Sequence, residues 1–140
     1  MRNIFISVES QQVDTEGETG ELTLSTEGKY YEKAGYKYIT YKETEATGLE
    51  GTTTCLKMGY GEVTLIRLGS TEAKQVFAMG RIHHCSYVTP YTTFELAVHP
   101  LLVEEQVSEG EGYVRLEYDL EMNGRPLSRN SLIIKIKNRE

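Results

Sequence analysis

Hydrophobic and polar residues alternate along most of the chain, and the clearest run lies near the C-terminus. Apolar residues occupy every second position: Val114, Leu116, Tyr118, Leu120 and Met122. This period of two directs one row of side chains into a core and the other mostly into water, as in a half-buried β-strand. Asn123-Gly124 follows, and this pair favours a type I′ turn, which needs positive φ at both positions. The sequence therefore predicts a hairpin whose second strand covers residues 131–137.

The same alternation recurs in shorter runs through the rest of the chain. These runs are Ile4–Val8, Leu22–Leu24, Tyr36–Tyr41 and Val63–Leu68. Turn-forming residues separate the runs at Gly17 to Gly20, Ala34-Gly35, Gly48 to Gly51, Gly59 to Gly61, Gly69-Ser70, Gly80, Pro90 and Gly110 to Gly112. Breaks at this spacing predict about ten strands and no segment of helical period.

Consecutive strands joined by short turns, without the spacing of βαβ units, indicate an all-β antiparallel meander. An open sheet exposes two edges, whereas closure into a barrel removes them. We therefore predict one domain over residues 1–140, a single antiparallel β-barrel of about ten strands. A two-sheet sandwich is the alternative fold.

Composition adds an expected location. With 39% hydrophobic residues in 140 positions, the chain can bury a core without a metal or a disulfide. Residues 1–9 carry a polar or charged residue at every second or third place, unlike a signal peptide, and no stretch is long enough to span a membrane. We expect a cytoplasmic protein without a membrane partner, in which Cys55 and Cys85 remain reduced.

The formal net charge is −6, which repels phosphate backbones and argues against a nucleic-acid partner. The charge is unevenly distributed, because residues 9–21 contain only acidic charges and residues 125–139 are basic. Lys135, Lys137 and Arg139 form too small a patch to change this expectation. Neighbouring strands are expected to bring the two ends together and compensate their charges.

Several segments resemble a known family in their order and spacing. They are Val63–Gly69, Val76-Phe77 with Gly80, Tyr87–Tyr91, Gly112–Leu120 and Leu132–Ile136. Together they resemble the YwiB-like proteins of bacteria, a family with a calycin-like or lipocalin-like β-barrel. The resemblance implies a bacterial, cytoplasmic barrel and brings no established activity. Thr92 departs from the pattern, which has glycine after the turn; the turn takes another form here if that position requires positive φ.

Arg67 is a charged residue on a strand that is otherwise mostly apolar. A guanidinium directed into a core needs a partner, because an isolated buried charge is costly. The structural interpretation, which we favour at this point, is an ion pair with Glu117 or Glu95 on a neighbouring strand. The functional interpretation is an anchor for a ligand carboxylate at the bottom of a cavity, since arginine binds such groups through two nitrogens.

Tyrosine supplies ten of the thirteen aromatic residues, and its ring and hydroxyl suit the lining of a pocket. Tyr87 and Tyr91 flank Thr89-Pro90 at a turn where the mouth of a barrel is expected. The candidate ligand-binding residues are Arg67, Tyr87, Thr89, Tyr91, Arg115, Glu117 and Tyr118.

His83-His84-Cys85 is the one cluster that resembles a metal or nucleophile site. Adjacent strand residues face opposite ways, so His83 and His84 cannot reach one site, and structural histidines are the favoured interpretation. Phosphate-loop, serine-elbow and Cys-x-x-Cys motifs are absent from the sequence. We therefore predict no cofactor, no metal and no catalytic residue.

Three functions are left open, in order of preference. The first is a non-enzymatic barrel that binds a small apolar or amphipathic ligand inside it or at its mouth. The second is a protein-interaction or homo-oligomerisation module, such as a homodimer, with a filled barrel. The third is an enzyme that uses barrel histidines and carboxylates.

Overall fold

The computed structural model describes residues 1–139 and contains ten β-strands. They are β1 (Arg2–Asp14), β2 (Thr19–Lys33), β3 (Tyr36–Lys42), β4 (Thr52–Gly59), β5 (Glu62–Gly69), β6 (Ala73–Phe77), β7 (His83–Val88), β8 (Thr93–Ser108), β9 (Glu111–Met122) and β10 (Arg125–Asn138). A short 3₁₀ turn covers Glu45–Thr47. Within residues 1–139, none of the helical segments has the length and apolar character needed to cross a membrane.

The strands form a nearly closed antiparallel barrel. Every strand pairs with its neighbour in sequence except at the β6–β7 step, and β1 also pairs with β10. At the β6–β7 seam only Glu72 and Val88 form a bridge, with reciprocal backbone hydrogen bonds of 2.8 and 2.9 Å. The predicted ten-stranded meander barrel is therefore confirmed, because the pairing of the first and last strands leaves no second sheet.

The predicted C-terminal hairpin is present, and its turn has the predicted backbone. Asn123 and Gly124 have φ values of 51° and 83°, as a type I′ turn requires. The turns at Ala34-Gly35, Tyr60-Gly61 and Glu109-Gly110 have positive φ at both positions as well. Glycine in the second position therefore defines four of the hairpins.

Two prolines lie within strands, and both coincide with irregular pairing. The register of β8 against β9 shifts between Pro100 and Leu102, and that of β10 against β9 shifts between Pro126 and Ser128. Proline has no N–H to donate to the ladder, so it is tolerated at such bulges.

Apolar side chains fill one half of the barrel. Fully buried members of this core are Ile4, Ile6, Ile39, Leu56, Met58, Val63, Phe77, Val98, Val114, Leu116 and Ile134. Burying each such side chain stabilises the fold by roughly 1.5–3 kcal/mol. They lie towards the end that carries the β2–β3 and β8–β9 turns, which we call the closed end.

An ion pair crosses the closed end. The Lys37 ammonium on β3 donates to the Glu105 carboxylate on β8 at 2.9 Å and also to the backbone carbonyl of Val107. The Glu105 carboxylate in turn accepts from the backbone N–H of Val107 at 2.7 Å. Beside them, burial, followed by the hydrogen bond to Glu32, raises the pKa of Tyr30 to about 12. These contacts join opposite sides of the barrel and cover its core.

The acidic and basic ends of the chain lie on neighbouring strands, as expected from β1–β10 pairing. Their ion pairs, however, involve other strands. Arg129 binds Asp119 on β9, with nitrogen–oxygen distances of 2.8 and 3.0 Å, and Arg139 lies 3.2 Å from Glu27 on β2. The hydrogen bond from Arg129 lowers the pKa of Asp119. The basic residues near the C-terminus therefore pair with β9 and β2, and no ion pair within residues 1–139 involves the acidic residues of β1, contrary to the expected compensation.

Candidate functional site

Arg67 lies on the inward face of β5, towards the end of the barrel opposite the closed end. We call that end the mouth; it is formed by residues 43–52 and 89–92. Arg67 is opposite Thr54 on β4 and Ala73 on β6, both buried. Its Nε atom is fully buried without a hydrogen-bond partner, and within residues 1–139 its guanidinium makes no ion pair. The site therefore contains a cation that makes no ion pair within residues 1–139.

The predicted ion pair of Arg67 with Glu117 or Glu95 is wrong. Val114, Leu116 and Tyr118 on β9 face the core, so Glu117 faces outward, where it lies 3.3 Å from Arg115. Glu95 also faces outward and accepts a hydrogen bond of 2.9 Å from the Ser86 hydroxyl. The strand alternation excludes all of these side chains from the interior. Arg115 and Glu117 are consequently not part of the interior site that contains Arg67.

Polar side chains from β3, from β4 and from the residue after β3 lie near the unpaired guanidinium. Tyr41, Glu43 and Thr54 are all buried, and the Thr54 hydroxyl donates to the Glu43 carboxylate. Burial, and then the charge of Glu43, raises the pKa of Tyr41, while the nearby guanidinium of Arg67 lowers it. Gln75 on β6 is also buried. A polar layer therefore covers the apolar core beneath the mouth.

Tyr118 joins this polar layer to the core. Its ring packs edge-on against Phe77, with 4.8 Å between the ring centroids. Burial raises the pKa of its hydroxyl, and the charge of Arg67 partly opposes that effect. Tyr87, which is half-buried on β7, also raises the pKa of Tyr118, by less than burial does. Of the predicted site residues, Arg67, Tyr87 and Tyr118 thus lie near one another.

A groove of about 320 Å³ lies beside this layer at the mouth. Its lining includes Leu49, Thr71, Tyr87, Thr89, Tyr91 and Phe94. The predicted position of the mouth, near Thr89 to Tyr91, therefore coincides with a groove. Tyr91 is 94% exposed, so its ring is available to a molecule bound there.

Thr89 shapes the β7–β8 turn from within. Its hydroxyl accepts from the backbone N–H groups of Tyr91 and Thr92 and donates to the carbonyl of Thr92. Thr92 does not have positive φ, so this turn avoids the strain that a β-branched residue would suffer there. The departure from the family pattern at position 92 is accommodated by this hydroxyl-centred turn.

A larger groove of about 540 Å³ lies on the outer surface and is lined by His99, Asp119, Glu121 and Arg129 among others. Arg129 binds Asp119 within the groove, and His99 Nε2, which is buried without a hydrogen-bond partner among residues 1–139, lies 3.2 Å from the Glu121 carboxylate. An anionic ligand would have to displace Asp119. The unpaired Arg67 therefore makes the mouth the better candidate for binding an anion.

His83 has a structural role in the β6–β7 seam. Its Nδ1 accepts a hydrogen bond of 3.2 Å from the backbone N–H of Val76, replacing a carbonyl that β7 does not supply there. Cys85 faces inward on the same strand, opposite Leu96, whereas His84 is exposed on the other face. Cys55 and Cys85 are both free thiols. The histidine pair does not converge, as the alternation predicted.

The stability of the protein is expected to fall in mild acid because of His83. Burial lowers the pKa of this imidazole from its ordinary value of 6.5, with smaller contributions from Lys74 and His84. The folded state therefore binds fewer protons than the unfolded chain, and the free energy of unfolding decreases as pH falls below about 6.5. Urea unfolding of wild type, His83→Gln and His84→Gln between pH 5 and 8, spanning about one and a half units each side of that value, measures this effect. His83→Gln keeps an acceptor but should flatten the profile, and an unchanged slope would contradict the assignment.

Sequence reasoning missed Tyr41, Glu43, Thr54 and Gln75. The alternation of β4 contained a signal, because its inward row runs Thr52, Thr54, Leu56 and Met58. Two buried threonines beside two apolar residues indicate that the interior changes from polar to apolar along the strand. The hydrogen-bond partners of those threonines, Glu43 and Thr71, lie in the segments that follow β3 and β5, so only the folded chain identifies them.

The fold and the site define a small meander β-barrel with a polar layer beneath its mouth that contains Arg67 and Glu43. The chain belongs to the family described as "Domain of unknown function (DUF1934)", whose model matches residues 6–134. It is 25% identical over 108 residues to the "Uncharacterized beta-barrel protein YwiB" of Bacillus subtilis (strain 168), covering 77% of this chain and 75% of that protein. The crystal structure of ywiB protein from Bacillus subtilis superimposes with a TM-score of 0.88 at 23% identity, covering 99% of this chain and 93% of the other. The resemblance to the YwiB-like family is thereby confirmed, and the structural likeness shows the fold.

Proposed function

We propose that this protein is a non-enzymatic, calycin-like barrel that binds a small, partly apolar molecule carrying a carboxylate or similar anionic group at its mouth. The observation that supports this most directly is the Arg67 guanidinium, which faces the interior without an ion-pair partner among residues 1–139. An unpaired buried donor is destabilising, so its presence is explained if a ligand supplies the acceptor.

Chemistry around Arg67 favours an amphipathic ligand. Guanidinium nitrogens bind a carboxylate through two parallel hydrogen bonds, and the hydroxyls of Tyr41 and Tyr118 lie within the electrostatic influence of Arg67. The groove at the mouth adds the rings of Tyr87 and Phe94 and the side chain of Leu49 for an apolar part. A few polar anchors within an apolar lining are typical of small-molecule sites.

Packing limits the size of this ligand. The closed half of the barrel is filled by the core, so the ligand is confined to the polar layer and the groove above it. A molecule with one ring system or a short chain suits this space, whereas a long chain running through the barrel does not.

Replacing Arg67 with methionine is expected to weaken anion binding at least about tenfold, because hydrogen bonds to a charged group contribute about 1.5–3 kcal/mol. The probe is 8-anilinonaphthalene-1-sulfonate, which combines flat rings with one anionic group, and its fluorescence is titrated with folded protein at neutral pH. Methionine keeps an unbranched stem that ends near the position of Nε and removes the charge. The variant is expected to be about 1 kcal/mol more stable because the unpaired donor is removed.

Arg115→Met is the matched control, since Arg115 lies on the outer face with its charge paired to Glu117. It should leave probe affinity within about twofold of wild type. The proposal is contradicted if wild type does not bind the probe. It is also contradicted if wild type and Arg67→Met bind the probe with equal affinity. Unfolding curves recorded in parallel show that each variant is folded.

A further inference from the structure

The outer face of the sheet from the end of β2 to β6 carries a concentration of lysines. Cross-strand registers place Lys29, Thr40, Cys55, Ile66 and Lys74 in one row and Tyr31, Tyr38, Lys57, Thr64 and Val76 in the next. Lys33 and Lys42 flank these rows. We call this surface the basic face; it holds five of the chain's eight lysines.

The lysines of the basic face are not neutralised by the protein. None of the five forms an ion pair within the part of the chain that the structure describes. Carboxylates on or next to these strands include Glu27 on β2, which lies 3.2 Å from Arg139, and Glu62 on β5, which lies 3.4 Å from Arg81. Glu72, just before β6, lies beside the β6–β7 bridge. The protein is anionic overall, yet salt screens charges more than about 10 Å apart, so an approaching anion experiences this face mainly as positive.

Tyrosine rings alternate with these lysines. Tyr31 and Tyr38 stack with their ring centroids 4.7 Å apart and nearly parallel, and both are only partly buried. Tyr36 packs edge-on against Tyr60, which is 76% exposed, and the Lys57 ammonium lies 4.1 Å from the centroid of the Tyr36 ring. Aromatic rings next to ammonium groups are the combination that binds unpaired bases and their phosphates.

The basic face contains a groove. The groove has a volume of about 180 Å³ and is lined by Tyr36, Lys57, Glu62, Thr64, Ile66, Lys74 and Val76. The one carboxylate in this lining, Glu62, lies 3.4 Å from Arg81. Four strand spacings of about 4.8 Å separate Lys29 from Lys74, so the basic face spans roughly 19 Å across the sheet. A flexible, extended polyanion can follow such a surface.

We propose that the basic face binds single-stranded nucleic acid, with phosphates at the lysines and bases stacked on the tyrosines. The sequence argued against nucleic acid because it offered only the net charge and the small patch at Lys135, Lys137 and Arg139. Folding collects lysines from four strand segments on one surface and separates them from most carboxylates. An acidic protein would use the charge but not the flat faces of the rings, so the tyrosines favour unpaired bases.

The test is fluorescence anisotropy of a labelled oligothymidylate of about 20 nucleotides, titrated at several salt concentrations, since phosphate contacts make affinity salt-dependent. The double variant Lys57→Ala/Lys74→Ala is expected to bind at least about tenfold more weakly at low salt. Losing two phosphate contacts should reduce the slope of log K against log salt by about 1.4. Tyr38→Thr should weaken binding at least about fivefold, because stacking on one base contributes about 1–3 kcal/mol.

Lys135→Ala/Lys137→Ala is the matched control, because it removes the same charge from exposed positions on β10. It should change affinity by less than about twofold, given how little isolated surface charges contribute. Phosphate contacts contribute strongly to affinity at about 50 mM salt. If wild type does not bind the oligothymidylate at that salt concentration, the proposal is overturned. An equal loss in the control overturns it as well.

Competition separates bases from charge alone. Unlabelled oligothymidylate should displace the probe, whereas polyglutamate of equal charge and a duplex of equal length should compete at least about tenfold less well, because neither presents free bases. Equal competition by polyglutamate or duplex would show that the tyrosines do not contribute, and would overturn the proposal. Binding of 8-anilinonaphthalene-1-sulfonate at the mouth should be unchanged in Lys57→Ala/Lys74→Ala, so the two proposals fail separately.

Discussion

Replacing Gly112 with alanine is expected to destabilise the protein by about 3–5 kcal/mol, enough to unfold many small domains. Gly112 has a φ of +134°, a conformation that residues with a side chain rarely adopt. A Cβ atom at this position would lie 1.8 Å from the Gln106 carbonyl oxygen and 2.9 Å from the Val107 Cα, both in the backbone of β8. The clash cannot be relieved by a side-chain rotation, so β8 and β9 would have to separate.

Gly124→Ala is the control for the cost of placing a side chain at positive φ without a steric clash. Gly124 has a φ of +83°, and a Cβ atom there would contact nothing within 4 Å. Its expected cost is about 1 kcal/mol, the conformational penalty without a clash. Denaturant unfolding of the two variants measures the difference, and a Gly112→Ala effect no larger than that of Gly124→Ala would show that β8 yields easily.

Truncating Phe77 to alanine is expected to destabilise the protein by about 3–5 kcal/mol, as is typical of buried phenylalanines. Phe77 is completely buried, and its ring packs edge-on against Tyr118. It is also the last residue of β6, beside the β6–β7 seam, where backbone pairing is limited to one bridge. Neighbouring strands are not joined by a ladder there, so side-chain packing carries much of the closure.

Phe5→Ala is the matched control, because Phe5 is 40% exposed on the outer face of β1. Its removal should cost less than about 1 kcal/mol. Both variants are compared by denaturant unfolding, and hydrogen exchange of β6 and β7 amides adds a local readout. Similar losses in the two variants, or a Phe77→Ala protein that retains slow exchange at the seam, would contradict a role in closure.

Local sequence was enough to predict the strands and most turns. A strand with one buried face requires alternation, and a two-residue hairpin requires positive φ, so Val114 to Met122 and Asn123-Gly124 specify their own conformations. The same alternation already placed Glu117 outside, since Val114 and Leu116 face the core. Glu117 therefore cannot pair with Arg67, which faces the interior.

Only the tertiary structure decided what the strands bring together. Pairing of β1 with β10 closes the barrel between the two ends of the sequence, and His83 completes a seam with Val76. Within the described residues 1–139, Arg67 has no ion-pair partner, although charged residues occur nearby in sequence, and lysines from separate strands gather on one face. Alternation fixes which residues of a strand share a face, but cross-strand neighbours depend on register and closure, which are set by long-range pairing. The sequence by itself therefore determined a ten-stranded barrel, whereas both candidate binding surfaces depend on how its strands are aligned.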